Sequence, residues 1–154
     1  MNLILEQTDQ VAYFTEMRSV FRALNISASD YDWYVSNLET NKAIAGLANA
    51  DQWMTGEGLQ RLIDEHEIQF IWAVFSAVPK GARPEINGAP FADGNSRYWD
   101  DIQYAPQLES ALFEITCWDS SATILAGITP EMAINFKNAY SDAKPLPAAD
   151  GNDG

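Results

Sequence analysis

At 154 residues the chain is the size of one domain, and 47% hydrophobic content with five tryptophans, seven phenylalanines and six tyrosines supplies a packed core. Twenty-two acidic side chains against nine basic ones leave a formal charge of −13. That charge disfavours direct binding to nucleic-acid backbones or anionic membranes, which attract cations, and a single cysteine excludes an internal disulfide.

The first ten residues, MNLILEQTDQ, have no basic region and only a short apolar patch. They read neither as a signal peptide nor as a membrane span, and a cytoplasmic location is expected. Residues 8–24 read as an amphipathic helix. Thr8 is the candidate N-cap, Val11, Phe14, Met17, Phe21 and Leu24 share one face, and Asn25 is the candidate stop. Ile26–Asp30 has turn composition, and Trp33–Leu38 has strand character. Residues 41–52 favour no one element. Thr55 is positioned to cap a second helix with Leu59, Leu62 and Ile63 inward, although Gly56 and Gly58 weaken its first turn.

Ile68–Val78 is the strongest strand. Ile68, Phe70, Trp72 and Val74 are expected on one face, and Ile71, Ala73, Phe75 and Ala77 on the other, as in a central strand covered on both sides. Pro79 is expected to end it. Residues 79–107 hold four of the seven prolines and read as a long irregular segment, with a short hairpin expected at Asn87-Gly88. Leu112–Trp118 and Ala122–Gly127 read as strands joined by Asp119-Ser120-Ser121. Thr129 and Pro130 open a last helix that turns Met132, Phe136 and Tyr140 inward. Residues 141–154 read as a flexible acidic tail after a single globular domain over 1–140. This order predicts an α+β fold with a mainly antiparallel sheet of about four strands and helices before and after it.

No catalytic motif stands out. His66 is the only histidine, and one histidine with one cysteine is too few ligands for a zinc site. Cys117 lies among apolar residues and reads as a buried core thiol. Asp119-Ser120-Ser121 lacks the G-x-S-x-G frame of a nucleophile turn, and Asp93-Gly94-Asn95 lacks the spacing of a calcium loop. Trp72 and Trp118 are expected in the core, while Trp53 and Trp99 lie in less regular segments beside polar groups. The acids gather at Asp30 and Asp32, at Asp64, Glu65 and Glu67, at Glu85 and Asp93, and at Asp100 and Asp101. One reading is a solvated surface. The other is a single negative face made by the junction near residue 65 and the 79–107 segment.

Four stretches, YDWYVSNLETN (31–41), TGEGLQRLIDEHEIQFIWAVFSAVPK (55–80), FADGNSRYWDD (91–101) and EITCWDSSATILAG (114–127), resemble a family of small acidic bacterial proteins of unknown function. Those proteins are similar in size and character to the immunity proteins that accompany antibacterial toxins. The resemblance implies a protein that is not an enzyme and needs no cofactor or metal. It would neutralise a cognate toxin domain, with a basic nuclease as the leading candidate, by occluding its active site. The partner-binding residues expected are Asp64, Glu65, Glu67, Asp93, Asp100 and Asp101, with Trp99 as anchor. The chain is expected to act as a monomer or a homodimer. The alternative is a nucleic-acid mimic or regulatory inhibitor of a DNA-handling complex. An enzyme would instead need paired carboxylates facing each other in a cleft.

Overall fold

The computed structural model describes residues 1–146. Its strands are β1 (Leu3–Glu6), β2 (Asp32–Thr40), β3 (Gln52–Met54), β4 (Phe70–Val78), β5 (Phe113–Trp118), β6 (Ala122–Ala126) and β7 (Lys144–Pro145). The helices are α1 (Met17–Leu24), α2 (Gly56–Glu65), α3 (Arg97–Asp100) and α4 (Pro130–Ala139). The fold is α+β, and every strand pairing is antiparallel. Among the described residues the sheet has seven strands rather than about four, in the order β3-β2-β4-β5-β6-β1-β7. No helix among them is long and apolar enough to cross a membrane.

Helices α1, α2 and α4 cover one face of the sheet. Their Phe21, Leu24, Leu59, Ile63 and Phe136 pack with Trp33, Phe75, Ile115 and Leu125 from the strands. The fully buried Trp33 ring lies 5.4 Å from Phe21 and 5.7 Å from Phe113, and its N–H donates to Ala28 O at 2.9 Å. The 79–112 segment, carrying α3, covers the other face, where Ala92, Tyr98 and Tyr104 meet Val74, Trp118 and Ile124. The strand period of two separates these sets. Phe113, Ile115 and Cys117 turn to the helices, and Glu114, Thr116 and Trp118 to the long segment.

Thr55 and Thr129 cap α2 and α4 through their hydroxyls, and Pro130 opens α4. Asn25 ends α1 in the left-handed conformation at φ 59°. The hairpin between β5 and β6 turns on Asp119 and Ser120, both at positive φ. Pro79 follows the last residue of β4, as expected.

Five expectations need correction. The first helix begins at Met17, not at residue 8. Glu16 caps it by accepting the Ser19 N–H at 2.7 Å, and Thr15, at φ 64°, breaks the chain away from helical geometry just before. Thr8 instead donates its hydroxyl to Asp142 at 2.5 Å. Leu3–Glu6 is a strand, paired on both sides by β6 and β7. Phe70 faces the helices with Ala73, Phe75 and Ala77, because the β2–β4 register shifts between Ser36 and Thr40 and reverses the alternation at that end. Asn87-Gly88 forms bends and no hairpin, and no strand lies between β4 and β5. Finally, the expected tail is docked up to Leu146, with β7 pairing with β1 and Leu146 buried, while 147–154 lie outside the described residues.

Candidate functional site

The expected binding residues fall into two groups. Asp64 and Glu65 end α2, and Glu67 follows it, on the helical face; all three are exposed. Asp93, Trp99, Asp100 and Asp101 belong to the segment that covers the opposite face. The two groups therefore lie on opposite faces of the sheet.

The second group sits on a built surface. Trp118 is buried on β5–β6's turn end, with Trp99 edge-on at 4.9 Å and Trp72 at 5.0 Å, both half-buried. The Trp118 indole nitrogen has no hydrogen-bond partner among the described residues. The segment also leaves Phe91 47% and Ile102 77% exposed, so it offers apolar side chains as well as charge. Asp93 and Asp100 are exposed. Asp93 is fixed by its N–H, which donates to Asn37 Oδ1 at 2.9 Å at a bulge where Asn37 takes φ 54°. Asp101 is held more tightly. Its carboxylate accepts the Gln103 N–H at 2.9 Å and lies 4.0 Å from Arg97.

What holds this segment to the sheet is a group of residues that the sequence did not single out. Glu114 is 1% exposed and accepts from Tyr104 Oη at 2.5 Å, Tyr98 Oη at 3.2 Å and the Gln107 N–H at 2.8 Å. Thr116 adds its hydroxyl at 3.3 Å. Burial pushes the Glu114 carboxyl above its usual range, against the pull of those donors. Burial and the neighbouring Glu114 push both phenols up. The Gln107 amide ties the two phenols to Phe91 O at 3.0 Å. The bonds from Tyr98, Tyr104 and the Gln107 N–H to Glu114 anchor the segment to β5. The one available signal was an acid in an apolar strand, Phe113-Glu114-Ile115, whose partners come from an irregular region with no period to reveal them.

A second carboxylate, Asp32, anchors the start of the same segment. Its Oδ2 accepts Gly81 N–H and Arg83 Nη1, and its Oδ1 accepts Gly56 N–H, each at 2.9 Å. Burial opposes ionisation, but these three donors outweigh it and bring the pKa down to about 2. Arg83 also lies 4.9 Å over the Trp53 ring, which is half-buried on β3. Cys117 is fully buried, and burial raises its thiol. Half-buried His66 ends α2 by donating its N–H to Leu62 O at 3.1 Å. Among the described residues, no three His, Cys, Asp or Glu side chains are grouped so as to hold a metal ion.

Compared with known proteins, the chain matches no family model, no curated protein and no solved structure.

Proposed function

We propose that this chain is an acidic binding protein of the immunity type that performs no chemistry and neutralises a basic toxin domain by covering its active site. The docking surface is the 91–102 segment with Trp72 beneath it. The observation that carries this reading is the half-buried Trp99, packed edge-on against Trp118 and followed in the chain by the exposed Asp100. An aromatic held rigidly by a second aromatic loses little entropy when it anchors a partner, and surrounding carboxylates select a basic surface. The segment is fixed by the Glu114 and Asp32 bonds, so little ordering remains to be done on binding.

The test is affinity capture on the immobilised chain from its source organism at low and high salt, followed by co-expression with the protein retained. The expected partner is basic, toxic when expressed alone, and relieved by this chain but not by a Trp99→Ala/Asp100→Lys variant. A retained protein that handles DNA without being toxic would favour the inhibitor alternative. Relief that survives both substitutions would sink the assigned surface.

A further inference from the structure

We propose that a separate cleft on the helical face, between the 10–16 segment and α4, binds an organic cation: an ammonium or guanidinium group on an apolar stem. This goes beyond the docking surface, from which the sheet separates it. The cavity measures about 290 Å³, near the lower end of small-ligand sites. Its floor is apolar and buried, built from Leu5 and Phe136, with Thr123 beside them. Tyr13 and Tyr140 line it as aromatic walls. Among the described residues, Glu16 and Glu67 are the only charged ones in the lining, and both are negative. Burial, then Glu16 and Glu67, push the Tyr13 phenol up against the pull of Arg18, and burial, then Glu16, push Tyr140 up against Arg22.

An apolar floor, aromatic walls and the unpaired Glu67 carboxylate together select a cation with a hydrophobic body. Glu16 already shares its charge with Arg18 Nε at 3.0 Å and Ser19 N–H at 2.7 Å. Exposed Glu67 has no ion pair among the described residues and supplies the free charge. The cleft is held open before any ligand arrives. Thr15 bonds its hydroxyl to Phe70 O on one side. Gln10 spans to Ser141 Oγ at 2.8 Å and accepts the Asp142 N–H at 3.0 Å on the other.

The experiment titrates the full chain, followed by NMR, with 2-phenylethylammonium, its neutral analogue 2-phenylethanol, and Nα-acetyl-lysine N-methylamide, whose ε-ammonium is free. The ammonium probe is expected to bind about tenfold more tightly than the alcohol and to shift Tyr13 and Tyr140 resonances. Glu67→Gln is expected to remove about fivefold of that preference, with unchanged melting because Glu67 is exposed. Tighter binding of 2-phenylethylammonium than of the lysine derivative identifies a free amine as the ligand; the reverse identifies a partner's side chain. Equal affinity for ammonium and alcohol, an unaffected Glu67→Gln, or no binding to any probe overturns the proposal. Asp100→Lys is expected to leave the probe affinity unchanged, so failure here and failure of the docking surface are distinguishable.

Discussion

Tyr104 donates its phenolic hydrogen to Glu114 at 2.5 Å, joining the irregular 79–112 segment to the middle of a seven-stranded sheet. The carboxylate lies in an apolar layer and makes no ion pair among the described residues, so hydrogen bonds alone compensate its burial. Removing the acceptor leaves two buried hydroxyls and a backbone N–H without it. Glu114→Ala is therefore expected to cost about 3 kcal/mol and to loosen the segment. Chemical denaturation measures the first effect, and hydrogen exchange at residues 98–107 the second.

The pH dependence of Glu114 has a definite sign. Its folded pKa is raised, so the folded state holds the proton more tightly than the unfolded state does. The resulting stabilisation is complete below the usual carboxylate range and is lost as pH rises through the raised value. Glu114→Gln does not titrate. The melting temperature of the parent chain minus that of Glu114→Gln should fall as pH rises from 4 to 8. A difference that grows with pH would contradict the burial argument.

Asp32 works in the opposite direction and in a separate window. Its folded pKa is lowered from 3.8 to about 2, so its contribution is present above the ordinary range and disappears as pH falls from about 4 to 2. The shift corresponds to about 2 kcal/mol at neutral pH. Asn at this position offers one acceptor where three donors converge, so Asp32→Asn should cost at least that much. Acid titration of the two proteins by circular dichroism should show their stabilities converging toward pH 2.

How much of this was legible in the sequence depended on the range of the forces involved. The caps Thr55 and Thr129 act within one turn of chain, so α2 and α4 were readable. The two apolar faces of β4 marked it as central because both sides of the sheet are covered. Leu3–Glu6 was missed because four buried residues between two partners carry no alternation, and those partners lie more than a hundred residues away. Val11 and Phe14 continue the spacing of Met17 and Phe21 and pack on the same core, yet the positive φ at Thr15 leaves them outside the helix. The acids were legible as a surplus, but their division between two faces of a sheet follows from topology.

Gly56 gives a test in which local propensity and packing disagree. Glycine to alanine in a helix normally stabilises by up to about 1 kcal/mol. Here a Cβ would collide with the backbone oxygens of Tyr31 and Ala28, which cannot swing aside, and it would push α2 off the Asp32 carboxylate. Gly56→Ala is expected to destabilise by roughly 3 kcal/mol, whereas Gly88→Ala, with open space around it, should change little. Urea midpoints of the two variants decide between propensity and packing.

The docking surface predicts that charge and aromatic contact act on different rates. Asp100 is exposed and its side chain makes no hydrogen bond or ion pair among the described residues, whereas Asp101 accepts the Gln103 N–H and cannot be reversed without disturbing the loop. Asp100→Lys should therefore slow association with a basic partner several-fold at low salt, and the effect should shrink as ionic strength rises. Trp99→Ala removes an anchor that rests on Trp118 at 4.9 Å, so it should speed dissociation tenfold or more with little change in salt dependence. Surface plasmon resonance at two salt concentrations separates the two effects. If Asp64→Lys, on the other side of the sheet, slowed association as much as Asp100→Lys, the charge would be acting as a uniform cloud, and no particular face would be guiding the encounter.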